Sequence, residues 1–200
     1  MRYTPDQKHE TRCRILAAAA KRFLADGYAG ASVQHVMRDA GLTHGGFYNH
    51  FKSKHDLLLA VFGDDFDRLE HRLDDRLHGL APCRWLAGWF EAYLSDAHHA
   101  HPERGCPLPV LAAEIARGDA EARSALTDFL NGRLATMSER MGGLNHAEQD
   151  ALLAGVAQAV GALMLSRAVD EPLATRVRSA AQNALKTSAQ KIESDKDLPS

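Results

Sequence analysis

The sequence predicts an all-α protein: an N-terminal three-helix helix-turn-helix domain followed by a larger α-helical ligand-binding and dimerisation domain, about nine helices in total. Three observations lead there. Apolar residues recur at helical spacing through nearly the whole chain, and caps, prolines and glycines divide it into helix-length pieces. Of its 200 residues 45% are apolar but only 6% aromatic, which suits a helical globule with an aliphatic core.

The first helix opens at Thr4-Pro5-Asp6-Gln7, which offers a cap, a proline at the first helical position, an acid in the first turn and a glutamine at the capping-box position. Ile15, Leu16, Ala19 and Phe23 form its apolar stripe, Arg12, Arg14, Lys21 and Arg22 lie off it, and Gly27 can close it. Ser32 caps a second, short helix in which Val33, Val36 and Met37 share a face, and Ala40-Gly41 ends it at a left-handed position. Leu42 fills the turn. Thr43 caps a third helix over His44 to Phe51, which buries Phe47 and Phe51 and turns Tyr48 and His50 elsewhere. Two short helices joined by so sharp a turn have the pattern of a helix-turn-helix. A recognition helix needs small residues and free N–H groups at its start and outward donors behind them; Thr43, His44, Gly45, Gly46, Tyr48 and His50 supply both. Ser53 and Asp56 then resemble a capping box, with Lys54 in a first turn where the helix dipole disfavours a cation and a nearby phosphate would explain it.

The stretch G-Y-A-G-A-S-V-Q-H-V-M-R-D-A-G-L-T-H-G-G-F-Y-N-H-F-K-S-K-H-D-L-L resembles the DNA-binding domain of the tetracycline-repressor (TetR) family in its order of glycines, aromatics and caps and in its H-F-x-S-K-x-x-L ending. The resemblance implies a cytoplasmic, homodimeric transcriptional regulator, most simply a repressor, that binds double-stranded DNA at a palindromic operator and answers to a small-molecule effector. Carried over position by position, Ser32 and Thr43 match cap and phosphate-contact positions, Tyr48 and His50 match contact positions of the recognition helix, and Lys54 matches a lysine near phosphate. Gly45 matches a small residue. His44 and Gly46 depart from the commoner basic residue and threonine, so the operator sequence does not carry over.

The charge distribution agrees with a DNA-binding head. The chain carries a net −2, yet residues 1–55 hold nine Lys/Arg against four Asp/Glu, a net +5, and the remainder a net −7. A basic segment is what phosphates attract.

From Asp56 to about His78 a longer helix keeps Leu57, Leu58, Val61, Phe62 and later leucines in period, and Gly79-Leu80-Ala81-Pro82 ends it. A helix from Arg84 to about Ala100 concentrates the aromatics. Trp85, Trp89, Phe90 and Tyr93, with Leu111, Phe129 and Leu130 from later helices, are the candidate lining of a small-molecule pocket, with plain core as the competing reading. Helices are expected to Arg117-Gly118 and from Asp119 to about Met141. Cys106, between Gly105 and Pro107, is placed at the exposed start of a helix, where the dipole would activate a thiol for redox or electrophile sensing.

Asn145 or His146 opens a helix to about Val169 that is apolar almost all round, and Pro172 starts a last helix. One chain of this size has little left to cover both. Leu152, Val156, Val160, Leu163, Leu173, Val177 and Ala181 are therefore assigned to a four-helix interface between two copies. The domains expected are 1–54 for the head and 55–189 for the body, with a polar tail, 190–200, expected to be disordered.

Other function classes find less support. No eighteen-residue apolar run or signal peptide is present, so no membrane partner is expected. Cys13, Cys83 and Cys106 form no C-x-x-C pair, and His71, His78, His98, His99 and His101 match no recognised ligand spacing, so neither a metal nor another cofactor is expected. Nucleophile elbow, P-loop, dinucleotide fingerprint and H-E-x-x-H are all missing, and no enzymatic activity is expected. The alternative class is a helical small-molecule carrier or scaffold that never touches DNA, which would leave Tyr48, His50 and Lys54 without a role.

Overall fold

Pro5 and Asp6 begin the first helix as their residue types dictate, and in the computed structural model the rest of the chain follows as helices. The structure describes residues 5–77, 80, 82–102 and 105–194. Among the described residues there are nine α-helices and one 3-10 helix, and no strand. In chain order they are α1 (Pro5–Gly30), α2 (Val33–Asp39), the 3-10 helix η1 (His44–Asn49), α3 (Lys54–Leu77), α4 (Pro82–Tyr93), α5 (Asp96–Ala100), α6 (Leu108–Arg117), α7 (Ala120–Arg140), α8 (His146–Arg167) and α9 (Leu173–Ser194). The chain forms two compact units, one of Met1–Asp67 with Cys106–Phe129 and the other of Arg68–Gly105 with Leu130–Ser200. By packing, the division falls inside α3, whereas the motif suggests one near residue 54, and the first unit takes a second stretch of chain. The tail also differs: α9 continues through the first residues of the segment expected to be disordered, and residues 195–200 lie outside the described ones.

In the first unit, Ile15, Phe23, Val36, Met37, Phe47 and Phe51 interlock with Leu57, Leu58 and Phe62 of α3, all buried. Phe62 meets Phe129 with ring centroids 5.3 Å apart. Helix α6 packs on α1 through Leu111 and Ile115, each 1% exposed. Gly27 interrupts α1 at φ 73°, and one helical turn follows it to Gly30. Sequence spacing predicts the glycine stop; the extra turn depends on Glu114 of α6, whose carboxylate accepts the N–H groups of Tyr28 and Ala29 at 2.7 Å each. A side chain at Gly27 would collide with that carboxylate, since a Cβ there would lie 2.5 Å from Glu114 Oε2.

In the second unit, α8 and α9 pack along their length, and α4 lies against α9. The helix expected over 84–100 breaks in two because Ser95 caps α5, its hydroxyl accepting the His98 N–H at 3.3 Å. Asn145 opens α8 in a full capping box with Glu148. Gly155 admits the Phe90 ring, and a Cβ there would stand 2.7 Å from Phe90 Cζ. Ala174, Ala181, Leu185 and Ala189 make the buried stripe of α9, together with Arg178, which is 4% exposed and donates to Asp96 Oδ1 at 2.7 Å. By length and composition α8 could cross a bilayer, yet Leu152, Gly155, Ala159 and Leu163 on one side of it belong to the core of this unit.

This packing corrects part of the assigned interface. Leu152, Leu163 and Ala181 are buried within a single chain, at 1%, 0% and 7% exposure, so they cannot face a partner. Of the assigned residues Leu173 is exposed, at 48%, and the other large outward apolar residues are Leu153, Met164 and Leu165, between 47% and 56% exposed. Val156, Val160 and Val177 sit at the margin, half-buried. A helix apolar on every side gives no periodic signal for which side turns inward; Phe90 and α9 decide it here.

Candidate nucleic-acid interface

Helix α2 is held at both ends. Ser32 Oγ accepts the His35 N–H at 3.2 Å, and beyond Ala40 the chain turns at Gly41, φ 68°, where Gly41 N donates to Arg38 O and Leu42 N to Met37 O, at 3.0 and 2.8 Å. That pair of bonds needs the left-handed backbone that glycine allows. Arg14 of α1 donates to the Ala40 carbonyl and Arg22 pairs with Asp26 and Asp39, so two of the basic residues off the α1 stripe tie the head together. The hydrogen bonds to Asp39 and Asp26 raise the Arg22 pKa, and Arg22 in turn holds Asp39 below the usual carboxylate range. A third, Arg12, also turns inward, donating to the His50 carbonyl at 3.1 Å with its guanidinium 4.3 Å from the centre of the Phe51 ring.

The recognition segment is a 3-10 helix over His44–Asn49 rather than an α-helix reaching Phe51. Gly45 and Gly46 are poor α-helix formers, and the apolar clamp fixes the rest: Phe47 is fully buried and its ring stacks on Phe51 at 5.7 Å. What this leaves outside is the candidate surface. Thr43 is the cap residue, but its hydroxyl makes no capping hydrogen bond, and Thr43, His44 and Gly45 are exposed. Tyr48 is 64% exposed and meets His44 edge-on at 6.2 Å between centroids. Gly45 has open space around it, and Gly46 is half-buried near Met37 and Thr43.

Two predicted contact residues point elsewhere. Lys54 lays its ammonium 4.3 Å from the centre of the Tyr28 ring; burial lowers its pKa, against the pull of Glu114 and Asp119. Its placement in a first turn is explained by that ring and those carboxylates, without a phosphate. His50 is half-buried with Nδ1 out of reach of any partner; burial, and then Lys8 and Arg12, push its pKa below the ordinary imidazole value. The spacing of His50 made it look outward, but Arg12 holding its carbonyl turns the residue in.

Beside Thr43 and His44 the structure adds Gln34, His35 and Arg38 of α2. With Gly41 and Leu42 these residues border a recess of about 500 Å³. Sequence reasoning missed them, although all three lie off the Val36 and Met37 face and the same periodicity would have found them.

The remaining candidates are dispersed. Trp85, Trp89, Phe90, Tyr93 and Leu130 belong to the second unit and Leu111 and Phe129 to the first. Trp89 stacks on Tyr93 at 4.9 Å and meets Phe90 edge-on at 5.5 Å, so these aromatics fill one another's space. Cys106 is 1% exposed, which corrects the expectation of an accessible thiol: Pro107 and Leu108 turn the chain into α6 with the sulfur inside. His98 and His99 are spent on the backbone carbonyls of Tyr93 and Ser166, His78 lies outside the described residues, and among the described residues no three His, Cys, Asp or Glu side chains converge on a possible metal site.

Residues 15–61, the span of this head, match the family described as bacterial regulatory proteins, tetR family. Over that span the head is similar to the tetR family. Among TetR-family relatives, the transcriptional repressor KstR2 of Mycolicibacterium smegmatis is 32% identical over 101 residues, covering 50% of this chain and 49% of its own, so the chain matches about half the length of that relative. The regulator UidR of Escherichia coli is 24% identical over 135 residues, 65% of this chain and 67% of its own. The fold extends over more of the chain than the sequence likeness does. A TetR-family regulator from Rhodococcus sp. superposes with a TM-score of 0.73 at 20% identity over 90% of this chain and 99% of its own, and Escherichia coli NemR in its reduced form with 0.69, also at 20%, over 90% and 96%.

Proposed function

We propose that the protein is a homodimeric, ligand-responsive repressor of the cytoplasm whose two heads read the half-sites of a palindromic operator. The observation that carries this reading is the outer face of the head, where Thr43, His44 and Tyr48 stand exposed at the end of a turn held rigidly from inside by Met37, Phe47 and Phe51. A free hydroxyl, an imidazole and a phenol on a basic segment are what phosphate oxygens and base edges accept. Gln34, His35 and Arg38 extend the face, with Arg38 67% exposed and held only loosely to Asp39, 3.8 Å away.

Dimerisation is supported by the outward residues Leu153, Met164, Leu165 and Leu173, large apolar side chains that a second copy of α8 and α9 would cover. In this reading an effector bound in the body favours a separation of the heads that no longer suits successive major grooves, and operator affinity falls by the effector's preference between the two states. Of the indole N–H groups, that of Trp89 is buried without a hydrogen-bond partner, a polar hook of the kind such a ligand would use.

The test is a gel-shift titration of the purified protein on the DNA upstream of its own gene at two salt concentrations, with Tyr48→Ala and Thr43→Ala alongside. Binding that weakens with salt, and weakens by about tenfold in each variant, supports the repressor reading. Absence of binding by all three at low salt refutes it and leaves a helical carrier.

A further inference from the structure

Helices α4 and α9 do not close on each other along their whole length. They run antiparallel: Gln182 of α9 donates to Glu91 O and Leu94 O near the end of α4, at 3.3 Å each, and Arg178, one turn earlier in α9, donates to Asp96 beyond that end. One turn further along α9 and back along α4 the two helices border a cavity of about 920 Å³. That is within the size range of small-molecule sites. Its α4 wall comes from residues at helical repeat, Arg84, Ala87, Gly88, Glu91 and Ala92, and its α9 wall from Gln182, Lys186 and Gln190.

The two ends differ in chemistry. Leu77 and Leu80 come down onto Gly88 so closely that a Cβ there would lie 2.7 Å from Leu77 Cδ2 and 3.0 Å from Leu80 Cδ1. With Ala87 and Ala92 they give an apolar floor. Arg84 begins the α4 wall and Lys186 faces it from α9; both are exposed, and neither has an ion-pair partner among the described residues. Glu91, nearer the Gln182 end, is likewise without one. Two unpaired cations over an apolar floor would attract an anionic group, and the carboxylate further along would repel a second.

We infer that the α4/α9 groove binds an amphipathic monoanion, its charged group between Arg84 and Lys186 and its apolar body on Leu77, Leu80 and Gly88. The site is separate from the aromatic cluster of Trp89 and Tyr93. Any effect of such a ligand on DNA rests on the repressor reading, whereas the binding does not, so the experiment uses no DNA.

Two fluorescent probes share one apolar body and differ by one charge: 8-anilinonaphthalene-1-sulfonate and neutral N-phenyl-1-naphthylamine. Titrated into the full-length protein, the sulfonate should saturate and bind about tenfold more tightly than the neutral probe, the worth of one charge-assisted hydrogen bond. In R84Q/K186Q, two exposed substitutions that leave the core alone, that preference should vanish, and Ala87→Phe, which fills the groove, should weaken both probes. Equal affinity of the wild type for the two probes overturns the inference, as does sulfonate binding unchanged in R84Q/K186Q or in Ala87→Phe while circular dichroism reports the same helix content.

Discussion

At the scale of single residues, Arg12, Arg22 and Lys54 of the head are half-buried against other head residues, and their substitution should be read as stability rather than as DNA contact. Lys54→Met keeps the stem and removes the ammonium from the Tyr28 ring, which should cost about 0.5–1 kcal/mol in thermal denaturation while the salt dependence of DNA binding stays as in the wild type. Glu114→Ala leaves the Tyr28 and Ala29 N–H groups without their acceptor and should cost about 1.5–3 kcal/mol, the worth of a hydrogen bond to a charged group, the Tyr28 bond being part-buried and the Ala29 bond exposed. His50 predicts a pH response. The unfolded imidazole titrates near about 6.5, and burial lowers it in the fold, so the neutral ring is the form the fold prefers. Its contribution is complete above that value and is lost as pH falls toward the lower folded one. Melting curves at pH 7.5 and about pH 5.5 should therefore show a smaller acid-induced drop for His50→Gln than for the wild type. The inward turn of Lys54 and His50 was not legible from spacing, because spacing assigns a face of a helix and neither Tyr28 nor Arg12 lies on the helix concerned.

At the scale of elements, the helices themselves were legible and their ends largely so: Pro5, Ser32, Gly41, Asn145 and the punctuation after Arg117 all act as their residue types dictate. Where the reading failed, a partner distant in sequence had decided. The extra turn of α1 needs Glu114, and the inward side of α8 needs Phe90 and α9. The recognition segment also departs from a regular helix. Neither Gly45 nor Gly46 has a positive φ, and a Cβ at Gly45 would meet nothing within 4 Å. Gly45→Ala should thus raise the stability of the head by about 0.4–1 kcal/mol in denaturant titration, through the unfolded chain it restricts. The outward face of α8 predicts the assembly: Leu165→Glu should convert the protein to a species of 21.9 kDa in light scattering, whereas an unchanged dimer mass would place the interface elsewhere.

At the scale of the whole molecule, the head is made from two separated stretches of chain. Met1–Asp67 supplies α1, α2, η1 and the start of α3, and Cys106–Phe129 supplies α6 with its Glu114 and the residues that hold His55. His55 Nε2 lies 2.9 Å from Asp119 Oδ1 and Nδ1 3.2 Å from Glu121 Oε2. The Ala122 N–H, and then His55, hold the Asp119 carboxyl below the usual range, so the stability linked to it is present at neutral pH and lost as acid protonates it. No local motif announces such an arrangement, since a helix-turn-helix reads as complete within its first fifty-five residues. A ribosome meets the same arrangement in time. The motif emerges first, but its acceptor for the Tyr28 and Ala29 N–H groups follows only with Glu114, and the unit closes when Phe129 is out, about 60 residues after Asp67, which is roughly 3–12 s of synthesis. For that interval the proposed DNA-reading surface stands on an unfinished support.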